Sequence, residues 1–69
     1  MQLKWNNTNE IAEMLYIKYP HIDPKTISFV KMHDLICSLE NFNDNKEASN
    51  ETILEQIFLK WLDEYDYYT

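Results

Sequence analysis

No glycine occurs anywhere in the 69 residues, so every turn must be built from residues that carry a Cβ. Any turn that needs a positive φ then falls to asparagine, which tolerates that region better than other residues do. Asparagines mark the breaks: Asn6, Asn7 and Asn9 form one cluster and Asn41, Asn43, Asn45 and Asn50 another, with hydrophobic periodicity in the stretches between. Glycine-rich phosphate loops are excluded at once, because no position lets the backbone approach a phosphate closely.

Three helices are predicted from the spacing of apolar residues. The first begins near Asn7, where asparagine followed three positions later by Glu10 approximates a capping box, and is ended by Pro20. Ile11, Ala12, Leu15 and Tyr19 form its buried stripe, and Ile17 points away from it. Asp23-Pro24 reads as a turn or helix start. Thr26 to Val30 is ambiguous: its β-branched and aromatic content admits a short extended segment, one that would pair with Leu3 to Trp5. Met32, Leu35, Ile36 and Leu39 define a second helix ending near Glu40. Asn41 to Ala48 is a polar loop in which Phe42 is the one candidate anchor to the core. Ser49 or Asn50 caps the third helix, with Glu51 in its first turn where the dipole favours negative charge. Ile53, Leu54, Ile57, Phe58, Trp61 and Leu62 make it the central core helix. On its other side Glu51, Glu55, Leu59 and Asp63 recur every four residues as a solvent-facing row. That row is either a solvated charged face with an incidental leucine or a docking face with an apolar centre.

Charge narrows the function classes. The net value of −6 is confined to one end: residues 1 to 39 balance four acids with four lysines, whereas residues 40 to 69 carry eight acids against Lys46 and Lys60. An acidic chain without arginine is repelled by phosphate backbones and steered toward basic protein surfaces or cations. Nucleic acid is therefore not an expected partner. A single domain spanning 1–69 is expected, since a chain of this size buries only about 60% of its unfolded surface in one core. No run of 18 apolar residues occurs and no secretion signal is recognisable, so no membrane role is expected, and a cytoplasmic monomer is the expected state. Cys37 is the sole cysteine, which fits a reducing compartment and excludes an intramolecular disulfide.

Sites with chemistry are few. His33, Cys37 and Glu40 share one side of the second helix, but structural zinc wants four ligands. Asn41 to Asn45 mimics the opening of an EF-hand loop, which then fails because Lys46 stands where glycine is needed and Thr52 where the closing glutamate belongs. Cys37 has no base and orienting group that spacing can identify, so no catalytic residue and no enzymatic activity are expected.

Taken together, Leu3-Lys4-Trp5, Tyr19-Pro20, Asp23-Pro24-Lys25-Thr26 with Phe29, and Met32-His33 with Ile36-Cys37 resemble the IscX family of iron–sulphur cluster assembly proteins. Leu39-Glu40 with Phe42, Ala48-Ser49-Asn50-Glu51, Ile53-Leu54-Glu55 and Trp61-Leu62-Asp63-Glu64 extend the resemblance over nearly the whole chain. It implies a mainly α fold, a three-helix modified winged-helix-like domain with short extended segments. It also implies an adaptor or regulator of cluster assembly that binds a cysteine desulfurase of the IscS type through an acidic surface, in competition with frataxin and ferredoxin. Carried over by position, the partner-binding residues are Glu40, Asp44, Glu51, Glu55, Asp63 and Glu64, to which the row adds Leu59. Weak ferrous-iron binding is implied as well and would fall to Glu51, Glu55, Asp63 and Glu64; an iron donor or sensor is the alternative role. No tightly bound cofactor is expected. Asn41, Asn43 and Asn45 are neutral where the family tends to carry aspartates, Lys46 sits where proline is common, and Leu35 replaces a frequent tryptophan. These changes thin the loop carboxylates and favour the docking role over the iron role.

Overall fold

Helix α1 runs over Thr8–Lys18, α2 over Phe29–Cys37 and α3 over Glu51–Tyr68, with 3-10 turns at Pro24–Thr26 and Lys46–Ala48. This computed structural model describes residues 2–68; Met1 and Thr69, the outermost positions of the expected domain, lie outside the described residues. The Cα radius of gyration is 10.8 Å, against about 11 Å for a compact chain of this length, so one core serves all three helices.

The ends of the elements follow local chemistry, with two departures from expectation. Asn7 precedes α1 but does not cap it: its Oδ1 accepts from the Lys4 backbone N–H at 2.9 Å, closing the turn before the helix. The reciprocal capping box with Glu10 therefore does not form. Asn50 does cap α3, accepting from the Ile53 N–H at 2.9 Å, and Ser28 caps α2 by accepting from the Lys31 N–H at 3.1 Å. That serine cap decides the ambiguous segment. Phe29 and Val30 are the first turn of α2, not a strand, because capping offers the backbone a helix start that β-branched content alone does not outweigh. Helix α2 ends at Cys37, three residues before the expected Glu40, and a tight turn carries the chain on.

The partner of Leu3 is consequently different from the one expected. A single parallel bridge joins Leu3 to Phe42, with the Leu3 N–H donating to the Asn41 carbonyl at 2.7 Å and the Asn43 N–H to the Leu3 carbonyl at 2.9 Å. Among the described residues no strand extends from it, so the molecule is mainly α without a strand-built wing.

Nor does any described residue adopt a positive φ. The glycine-free chain makes all its described turns on the negative side, and asparagine contributes side-chain acceptors rather than left-handed backbone: Asn45 Oδ1 takes the Glu47 N–H at 3.0 Å, as Asn7 and Asn50 do for their own turns.

The core lies where α1 crosses α3, with α2 closing one side. Ile11, Ala12 and Leu15 of α1 meet Ile57 and Trp61 of α3, and Met32, Ile36 and Leu39 complete the centre with Leu3 and Trp5. Ile53, Leu54 and Phe58 are only partly buried and form the margins of the α3 core face. Ile17 is exposed, as its position off the stripe predicts.

Candidate docking surface

An α-helix advances 1.5 Å and about 100° per residue, so residues four apart drift round the axis by about 40°. The row Glu51, Glu55, Leu59, Asp63 therefore rises about 18 Å along α3 while winding about 120° round it. All four side chains are exposed, Leu59 by 55%. The winding turns the two ends of the row toward different sides of α3. At its carboxyl end Leu59 and Asp63 flank an open groove of about 500 Å³ whose other walls are Gln56, Lys60 and the start of α1, Thr8 and Asn9. On the side of α3 about 180° from Asp63, Leu54 lines a smaller apolar groove with Phe29, Val30 and His33 of α2.

The carboxylates of the row are electrostatically uncommitted. Among the described residues the ion pair present is Lys60 with Glu64, one turn apart at 3.6 Å, and it involves no member of the row. Glu64 shares one depression with Asp63, lined also by Lys60, Tyr67 and Tyr68. It sits about 100° from Asp63 on the helix and also lines a depression with Glu13, Ile17 and Tyr68 on the α1 side. Glu40 is exposed in the turn after α2 and borders yet another depression, with Met14, Ile17 and Lys18.

Asp44 has a different use. Its Oδ2 accepts from the Trp5 backbone N–H at 3.0 Å and its Oδ1 from the Asn45 N–H at 2.7 Å. The Trp5 bond is the main reason its carboxyl is held below the ordinary aspartate range; the Asn45 bond adds to this, desolvation opposes it and the Lys4 charge assists. Asp44 thus fastens the loop to the amino-terminal segment.

The same loop is held from α2. His33 Nε2 lies 2.7 Å from the Lys46 carbonyl oxygen, and because a carbonyl only accepts, Nε2 carries the proton. The ring stacks on Trp5 at 5.3 Å, and Trp5 meets Phe42 edge-on at 4.7 Å. Phe42 is the core anchor its position predicts. The Cys37 sulfur lies 3.9 Å from His33 Nδ1, and burial raises its thiol pKa; Lys46 pulls it back and Asp34 adds to the rise. His33 and Cys37 therefore belong to the packing of the loop.

Among the described residues no three His, Cys, Asp or Glu side chains converge on a point that could hold a metal ion. Glu51 and Glu55 in particular stand more than two turns of α3 from Asp63 and Glu64. Sequence reasoning missed the exposed pair Phe29 and Val30; extending the α2 period back from Met32 and Ile36 puts both positions at or beyond the edge of the buried face.

Fold and surface define a small acidic helical domain whose longest helix presents to solvent a carboxylate row outside any ion pair among the described residues. The sequence profile of the family described as iron-sulphur cluster assembly matches residues 3–66. A relative from Pseudomonas aeruginosa, named as the uncharacterized protein PA3808, is 36% identical over 66 residues, which is 96% of this chain and 100% of that protein. This chain belongs to the iron–sulphur cluster assembly family, the IscX family that its sequence resembles. No helix in the described residues is long and apolar enough to cross a membrane.

Proposed function

We propose that the domain is an adaptor of cytoplasmic iron–sulphur cluster assembly that docks on a basic patch of a cysteine desulfurase and catalyses no reaction itself. The observation that carries this reading is the row Glu51, Glu55 and Asp63: three exposed carboxylates on one rigid helix, none in an ion pair among the described residues, with Leu59 between them. Carboxylates already neutralised by internal lysines would gain little from a basic partner, whereas unpaired ones steer and orient it. Frataxin and ferredoxin, which the family resemblance puts on the same region of the desulfurase, would then be displaced by this chain.

Ferrous iron is secondary on this reading. Glu51 and Glu55 stand one turn apart and offer a two-carboxylate contact, which leaves most of the coordination shell to water and gives weak affinity. Binding of the purified desulfurase tests the main proposal. Glu55→Lys with Asp63→Lys should abolish binding while leaving the thermal unfolding of the domain unchanged, and wild-type affinity in that double variant would refute it. Iron titration followed by the same binding assay would separate an iron donor from an adaptor.

A further inference from the structure

The groove at the amino end of the carboxylate row is built unlike the rest of the surface. Val30 is 75% exposed and Phe29 37%, side by side in the first turn of α2. A β-branched residue gains nothing for helix stability there, and solvent exposure returns no burial energy. Phe29 leans on Phe58 of α3 with ring centroids 5.8 Å apart, which fixes the floor. The His33 ring is immobilised by its bond to the Lys46 carbonyl and its stack on Trp5, which fixes one wall; Leu54 forms the other. The result is a solvent-open apolar groove of about 250 Å³.

Its border is acidic. Glu51 lies one turn before Leu54 and Asp34 one turn beyond Val30; both are exposed and outside any ion pair among the described residues. Glu55 and Lys31, of opposite charge, each sit about 100° round their helices from Leu54 and Val30. An apolar centre inside a charged rim is the anatomy of a protein interface, and here the rim selects a basic surround. A second copy of this chain would bring like charge to that rim, and nucleic acid would bring phosphate.

We infer that this groove receives an apolar side chain projecting from the basic surface that Glu51 faces at the start of α3, so that Val30 is a packing anchor of the docking interface. The inference rests on the docking reading above. Anchors of this kind act mainly on dissociation, whereas peripheral charges act on association and its salt dependence.

The test is binding of purified desulfurase to the full chain, with association and dissociation rates measured across a salt series. Val30→Ser should speed dissociation five- to tenfold and leave the salt slope of association unchanged. Val30→Asp separates packing from charge: an anchor predicts weaker binding, whereas a purely electrostatic contact predicts equal or tighter binding to a basic patch. Wild-type dissociation in Val30→Ser together with undiminished affinity in Val30→Asp overturns the inference. If Glu55→Lys with Asp63→Lys still abolishes binding in that case, the docking reading survives without the anchor; if wild-type chain does not bind at all, both fall.

Discussion

The indole N–H of Trp5 donates to the backbone carbonyl of Asn45 at 2.7 Å, forty residues away in the chain. With the Asp44 carboxylate on the Trp5 backbone N–H, this makes the amino-terminal segment a strap across the 41–48 loop. The strap holds the loop that leads into α3, whose first turn is capped by Asn50.

Trp5→Phe keeps an aromatic ring against Phe42 and His33 but removes the donor to Asn45. An unmatched hydrogen bond of this kind costs about 1 kcal/mol, with some loss of packing added. Urea unfolding should show a lower midpoint with an unchanged m-value, and backbone amides of the loop should exchange faster than those of α1.

Asp44 gives the fold a defined response to acid. Its pKa is lowered in the folded state, so its contribution is complete above the unfolded value and is lost as pH falls through the folded one. Wild type should therefore exceed Asp44→Asn in stability at neutral pH, and the gap should close as the pH drops below the ordinary aspartate value of 3.8. Chemical denaturation at a series of pH values checks both the sign and the window.

Two asparagines that look alike in the sequence should behave differently. Asn50→Ala removes a helix cap and should cost about 1 kcal/mol, with fraying at the start of α3. Asn7→Ala should leave α1 capping unchanged and loosen only the turn at Lys4, visible as faster exchange of that amide.

Ile57 is fully buried at the crossing of α1 and α3. Ile57→Ala should cost about 2–5 kcal/mol, most of the stability available to a domain this small. Circular dichroism should show a partly unfolded population at 25 °C, while Val30→Ser, removing an exposed side chain, should stay within about 0.5 kcal/mol of wild type.

Cys37 should be a slow nucleophile. Burial raises its pKa, so at pH 8 alkylation should be slower than that of free cysteine. Lys46→Glu removes the charge that partly offsets burial and should slow it further.

Much of this was legible from side-chain spacing. The periods of three and four residues place Ile11, Leu15, Met32, Ile36, Ile57 and Trp61 inside, and the same arithmetic puts Glu51, Glu55, Leu59 and Asp63 outside. A helix of known pitch has only one inward face, so amphipathic spacing determines burial without knowledge of what packs against it. The segment from Thr26 to Val30 could not be resolved that way, because residues of high β propensity still enter a helix when a serine cap starts one.

By itself, then, the sequence determined three helices, their buried faces, a charge excess at one end and membership of a cluster-assembly family. Tertiary structure decided everything that depends on residues far apart in the chain. It joined Leu3 to Phe42 instead of to the segment before α2, and it turned Asp44 from a surface carboxylate into a clasp on Trp5. It also set Leu54 of α3 against Phe29 and Val30 of α2, making a groove that neither helix contains alone. Local spacing fixes a face because the pitch of a helix is constant, but which faces meet is settled only when the chain closes on one shared core.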